Sequence, residues 1–243
     1  MEIAGPPRGA VAVPLAVARV AGGPVEPVWR SSEGGLTFRL TGGRYAKWAP
    51  AGTPLDLAAE RDRMLWAGPF ARVPTPLALL RDEEGSCLVT TALPGRSAVH
   101  ERWLAEPATA VRAIGAGLRA LHEALPVQDC PFDWSVAERL ERARRSGLRP
   151  DSALEEAPTI DRLVVCHGDA CAPNTLLDDA GQWSGHVDLG TLGVADRWAD
   201  LAVASWSTAW NYGDDWTGAL LEAYGIDRDE ERLRYYRALW DAT

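Results

Sequence analysis

The sequence predicts an α+β protein of two lobes, a small antiparallel β lobe in front and a larger, mainly helical lobe behind. Three observations carry this. Between Val25 and Pro50, short β-prone runs alternate with two glycine pairs, the pattern of successive hairpins. Further on, Val111, Ile114, Leu118, Leu121 and Leu125 fall 3, 4, 3 and 4 residues apart, the stripe of a helix packed on a core. Between the two regions "PGRS", residues 94–97, reads as a linker. The lobes are therefore placed at residues 1–93 and 94–243.

Each element has its own signal. "PVEPVWR", "LTFRL" and "RYAKWA" predict three strands joined by the turns "SSEGG" and "TGG". "LDLAAERDRMLW", from Leu55 to Trp66, predicts a helix with Leu57, Met64 and Leu65 near one side. "VPTPLALL" and "SCLVTTAL" predict two more strands, joined by the acidic turn "RDEEG". Behind the linker, helices are predicted for the leucine stripe, for "SVAERLERARR", for Trp198 to Trp210 and for the final stretch. In that last helix Asp227 and Glu230 resemble a capping pair ahead of Leu233, Tyr236 and Leu239. Two short apolar runs, one before His167 and one before Asp188, read as buried strands.

Composition limits the function. With 243 residues, 47% of them apolar and 24% charged, the chain can bury a sizeable core. A net charge of −9 argues against a nucleic-acid partner and suits a cationic one. Cys87, Cys130, Cys166 and Cys171 form no CxxC pair, which fits reduced thiols in a cytosol. Cys166, His167 and Cys171 lack the fourth ligand and the spacing of a closed zinc site. "AVAVPLAVA" is broken by Pro14, followed by Arg19, and far short of the ~20 apolar residues of a membrane span. The expectation is a cytoplasmic protein with no membrane association and no obligate protein partner.

The polar residues that punctuate the two apolar runs suggest a chemistry. Phosphoryl transfer needs a cation on the nucleotide phosphates, hard oxygen ligands for magnesium, and a carboxylate beside the attacking hydroxyl. Asn174 and Asp188 fit the metal role, and Asp169 fits that of general base. An isolated Asp at a strand end is ordinarily a turn or cap residue. The joint pattern HGDxxxxN, followed 14 residues later by Asp in "DLG", is far more specific. In the front lobe Lys47 lies in a β-alternating run, and Glu60 on the next helix is placed to pair with it. Gly34 and Gly35 would form a flap that lets backbone amides approach phosphate, although a plain hairpin turn explains them equally well.

With these residues in view, the chain from about Val28 to its end resembles the aminoglycoside phosphotransferases, antibiotic kinases of protein-kinase-like fold. "ERDRMLW", "CLVTTALPG", "DCPF", "VVCHGD", "DLGTLGVADRWADLA" and "YYRALWD" make it most like the members that phosphorylate streptomycin at its 3''-hydroxyl. The resemblance implies a nucleotide-binding front lobe and a back lobe holding catalytic loop, metal site and acceptor pocket, working with ATP and Mg2+. It assigns Asp169 as catalytic aspartate, Asn174 and Asp188 as magnesium ligands, and Lys47 with Glu60 as the phosphate-binding pair. Thr90 and Ala92 would meet adenine through their backbone, while Asn211, Asp241 and Thr243 would lie near an acidic acceptor pocket. Three departures accompany it. Thr191 stands where Arg is frequent, Ala170 where a larger apolar residue is usual, and the segment between Arg144 and Val164 is short. Alternatives are a 3'-kinase of another aminoglycoside, a kinase of another small hydroxyl compound, or a nucleotide binder without catalysis.

Overall fold

The computed structural model describes residues 4–243, which divide into two compact units. One contains the chain up to Pro69 together with Val73–Leu93; the other contains Phe70–Arg72 and Pro94–Thr243.

The first unit opens with helix α1 (Leu15–Ala21) and continues through strands β1 (Glu26–Arg30), β2 (Leu36–Leu40) and β3 (Arg44–Pro50). Helix α2 (Leu57–Ala67) and strands β4 (Pro76–Arg81) and β5 (Gly85–Thr91) complete it. The strands form one antiparallel sheet in the order β1-β2-β3-β5-β4. Gly42 and Gly43, at φ of 71° and 66°, make the tight turn between β2 and β3, a conformation that side chains with a Cβ resist. The pleat sends Phe38, Ala46, Cys87 and Val89 to one face, where Val17 of α1 seals them. Asp56 caps α2, accepting hydrogen bonds from Ala58 N and Ala59 N. The helix therefore starts two residues later than the sequence pattern suggests. Its inward side is Leu57, Glu60 and Met64, while Leu65 is exposed. An ion partner lets a glutamate replace the expected leucine on that face.

The second unit holds, in chain order, β6 (Arg96–Ser97), α3 (Glu101–Leu104), α4 (Pro107–Ala124) and α5 (Val136–Arg145). There follow β7 (Leu163–Cys166), β8 (Thr175–Leu177), β9 (Trp183–His186) and β10 (Gly193–Asp196), then α6 (Trp198–Tyr212), α7 (Thr217–Tyr224) and α8 (Glu230–Ala242). Strands β7 and β10 form one antiparallel pair, and β6, β8 and β9 form a small sheet. The expected linker at 94–97 is therefore partly strand, fixed by Ser97 Oγ donating to Pro173 O at 2.8 Å. The stripe Val111, Ile114, Leu118 and Leu121 is buried on α4, with Leu125 buried just past its end. Helix α8 is capped by Asp229, whose side chain accepts from Arg232 N at 3.0 Å. The anticipated cap at Asp227 lies two residues too early, because Glu230 belongs to the first turn of the helix. Among the described residues no helix is long and apolar enough to cross a membrane.

Helices α4 and α7 touch through backbone: a Cβ added at Gly115 would sit 2.4 Å from Leu220 O. Gly115→Ala must push the helices apart and is expected to lower stability by about 1–3 kcal/mol. Urea unfolding checks this, and an unchanged midpoint would mean that the pair separates without cost.

Candidate active site

The chain between β7 and β8 carries His167, Asp169 and Asn174, and a network of hydrogen bonds holds it. A carboxylate only accepts, so all the bonds to Asp200 on α6 are donations to it. Asp200 Oδ2 receives His167 N at 2.6 Å, and its Oδ1 receives Gly168 N at 2.9 Å. Gly168 has φ of 87°, and a Cβ there would lie 2.2 Å from Thr191 O, so backbone approaches backbone at this corner. His167 is fully buried; its Nε2 donates to Val187 O at 2.9 Å and its Nδ1 accepts from Asp169 N at 3.3 Å. Farther along, Ala172 N donates to Ser207 Oγ of α6 at 2.9 Å. The loop is bolted to α6 at both ends.

Within that frame Asn174 Nδ2 donates to Asp169 O and to Asp169 Oδ2, each at 3.0 Å. Asp169 Oδ1 is shielded from solvent and has no hydrogen-bond partner. Burial first, then the charge of Asp188, raise the Asp169 pKa, against the opposing influence of Cys171, His167 and Asn174. Asp188 lies two residues beyond the end of β9, not at the strand end as the sequence suggested. Val187 N donates to Asn174 O at 3.0 Å, which ties the backbone preceding Asp188 to the loop. Asp188 takes φ of 64°, alone in this among the described non-glycine residues, a strained conformation of the kind that collects at functional sites.

These donors fit a magnesium ion. The Asn174 amide nitrogen is committed to Asp169, so its oxygen is the remaining donor atom, and Asp188 brings a carboxylate; both are hard oxygen ligands. A carboxylate oxygen buried without a partner, close enough to a second carboxylate to feel its charge, is an arrangement a cation relieves.

In the first unit Lys47 Nζ bonds Glu60 Oε2 at 2.8 Å, with only 19% and 4% of the two side chains exposed. Lys47 stands on β3 opposite Thr37 of β2 and Leu88 of β5. Thr90 is buried in β5, paired with Tyr45 on one side and Pro76 on the other. Ala92 N donates to Gly43 O at 2.7 Å, so that N–H is occupied within the first unit. Gly34 N and Gly35 N do not present a free phosphate cradle, because they donate to Ser31 O at 3.2 Å and Ser31 Oγ at 3.0 Å. Both glycines close the β1–β2 turn.

The residues expected near the acceptor pocket are placed variously. Asn211 Nδ2 donates to Ser207 O at 2.8 Å and Ser207 Oγ at 3.2 Å, joining the α6 side of the loop anchor. Asp241 is exposed on α8. Thr243 Oγ1 accepts from Arg139 Nη2 at 2.9 Å, which commits its hydroxyl to a structural contact.

Sequence reasoning missed Asp200. Behind it His122 of α4 places Nε2 3.0 Å from Asp200 Oδ2 and Nδ1 2.9 Å from Tyr224 Oη. An ionised Asp only accepts, so Nε2 carries the proton and Nδ1 accepts from the tyrosine. His122, Cys166 and Asp200 also lie within 4.8 Å of one another, but the His122 nitrogens are both committed, which makes the cluster an anchor and not a metal site. The available signal was a carboxylate in the otherwise apolar stretch "DLAVAS".

Comparison with known proteins covers nearly the whole chain. Residues 28–236 match the model of the phosphotransferase enzyme family. An aminoglycoside 3'-phosphotransferase of Streptomyces fradiae is 35% identical over 85% of this chain and 90% of its own length. A streptomycin 3''-kinase of Streptomyces griseus is 36% identical over 88% and 90%. An aminoglycoside phosphotransferase of Streptomyces rimosus, solved with ADP and streptomycin, superposes with a TM-score of 0.72 at 31% identity, covering 93% of this chain and 95% of its own.

Proposed function

Because the chain belongs to the phosphotransferase enzyme family, we propose that it transfers the terminal phosphate of ATP to a hydroxyl of an aminoglycoside, streptomycin at its 3''-position before others. The observation that carries the reading is the loop of Asp169 and Asn174. One carboxylate oxygen there is fixed by the amide, and the other is shielded from solvent and without a partner.

The roles follow from that chemistry. Asp169 orients the acceptor hydroxyl and takes its proton as the oxygen attacks phosphorus. Asn174 and Asp188 would hold magnesium, which when bound neutralises charge on the phosphate oxygens. Lys47, kept in place by Glu60, holds nucleotide phosphates, and the backbone around Thr90 and Ala92 faces the base. The acidic chain attracts an acceptor that carries guanidinium and amine groups. Relatives of both the 3' and the 3'' type match at similar identity, so the acceptor position is decided by assay.

Purified protein with ATP and magnesium is expected to release ADP in the presence of streptomycin and to fall to background without acceptor or with excess EDTA. ADP release with kanamycin and none with streptomycin would move the proposal to the 3'-type activity. ATP binding without release for any acceptor would overturn it in favour of a non-catalytic nucleotide binder.

A further inference from the structure

Asn174 has two tasks for one amide group, pinning Asp169 through Nδ2 and offering its oxygen to a metal, so the direction in which its side chain leaves the backbone matters. That direction is set by the two planar peptides on either side of its Cα. The first contains the Pro173 carbonyl and the Asn174 N–H. Its N–H donates to Cys171 O at 3.0 Å, and its carbonyl accepts from Ser97 Oγ at 2.8 Å. In the second, the Asn174 carbonyl accepts from Val187 N at 3.0 Å and the Thr175 N–H donates to Ala172 O. Both planes are tied at both ends, which leaves Asn174 little freedom in φ or ψ. Of these four ties, three join backbone to backbone. The fourth comes from a side chain, the hydroxyl of Ser97.

Ser97 is itself fixed. A hydroxyl can donate and accept at once, and this one accepts from Val99 N at 3.3 Å while it donates to Pro173 O. Arg96 and Ser97 pair with Leu177 and Leu176 of β8, and Ala98 N donates to Thr175 O at 2.8 Å. Tyr212 Oη of α6 donates to Ala98 O at 2.9 Å, and Ser184 Oγ donates to Pro94 O at 2.7 Å. All of these residues belong to the second unit. Pro173 has no N–H, so the carbonyl that Ser97 holds is the one hydrogen-bonding group its backbone owns. Without the Ser97 hydroxyl, the peptide that leads into Asn174 is tied at one end only.

We propose that Ser97 is a positioning residue for the metal site: it orients Asn174 through the Pro173–Asn174 peptide, with Tyr212 as its support, and so sets how tightly the metal is held. The assignment rests on the phosphotransferase reading above and adds to it residues that act through Asn174 and not on the substrate.

The test uses full-length wild-type protein, Ser97→Ala, Ser97→Thr and Tyr212→Phe. Binding of Mn2+, which takes the same oxygen ligands as magnesium, is followed by electron paramagnetic resonance with ADP present and a protein-free ADP control. The Mg2+ concentration for half-maximal ADP release and the KM for streptomycin are measured beside it. Ser97→Ala is expected to weaken Mn2+ binding and raise the half-maximal Mg2+ concentration about tenfold, the lower end of what losing a ligand-orienting partner costs, with KM for streptomycin within about twofold. Ser97→Thr keeps the hydroxyl and is expected to stay within about twofold of wild type in Mn2+ binding. Tyr212→Phe, which frees the Ala98 carbonyl, is expected to weaken Mn2+ binding about threefold. Wild-type protein that binds Mn2+, with Ser97→Ala binding it equally tightly, overturns the role of Ser97 and leaves the enzymatic reading intact. Should Ser97→Ala not fold, Tyr212→Phe decides: weakened Mn2+ binding supports the proposal and unchanged binding overturns it. Wild-type protein that neither binds Mn2+ with ADP nor phosphorylates any aminoglycoside removes both readings.

Discussion

Asp169→Ala is expected to lower kcat by a factor on the order of 10³, toward the upper range of what a positioned proton acceptor contributes, while nucleotide affinity changes by about twofold or less. The expectation comes from how the carboxylate is held. Asn174 fixes Oδ2 at 3.0 Å, His167 fixes the backbone N–H, and Oδ1 sits shielded with no partner. Removing the side chain deletes the proton acceptor but leaves Asp200 and Ser207 to hold the loop, and it leaves the Lys47–Glu60 pair in place. Asp169→Asn separates shape from basicity, since an amide fills the space and cannot take the proton; it is expected to lose nearly as much. ADP release at saturating streptomycin reads both variants, and equilibrium binding of ATP supplies the control. Turnover within tenfold of wild type in either variant would remove Asp169 from the role of base.

The same residues show which parts of the structure could be read from sequence. Strands β1 to β5 and the stripe on α4 were legible because their signals are local, with period and turn chemistry written within a few residues. Lys47 and Glu60, 13 residues apart, were legible as a pair because a lysine in an inward run demands a partner and the following helix offers one. Gly34 and Gly35 could be a phosphate flap or a hairpin turn on sequence grounds; the hydroxyl and carbonyl of Ser31 decide the matter by occupying their amides. The position of Asp188 was misjudged by two residues, since a strand's end depends on where its partner stops pairing. Asp200 was missed altogether. Its job is to receive N–H groups from a loop 32 and 33 residues away, and nothing local announces that.

That missed residue supports the second large expectation. Asp200→Asn is expected to destabilise the second unit by about 3–5 kcal/mol, the cost of breaking a buried charged network by removing one partner's charge. The amide can accept through one oxygen only, so its NH2 is turned against one of the N–H groups from His167, Gly168 or His122. The sign of the pH dependence follows from the ionisation of Asp200. Burial acts to raise its pKa, but the His122 hydrogen bond, the electrostatic attraction of the His122 and His167 rings and the Gly168 amide outweigh it, so the group is held below the ordinary carboxylate value. A depressed folded pKa contributes stability that is full above the unfolded value of about 3.9 and is lost as pH falls through the folded value. The gap between wild type and Asp200→Asn should therefore be widest near neutrality and close below about pH 4. Urea midpoints at about pH 7 and at about pH 3, below the unfolded value, measure it, and equal midpoints at neutral pH would refute the anchor. Catalysis should fall as well in the fraction that stays folded, because the backbone of His167 and Gly168 then loses the clamp that sets where Asp169 stands. A variant that is less stable but retains wild-type kcat would show that the clamp serves the fold alone and that Asn174 by itself fixes the base.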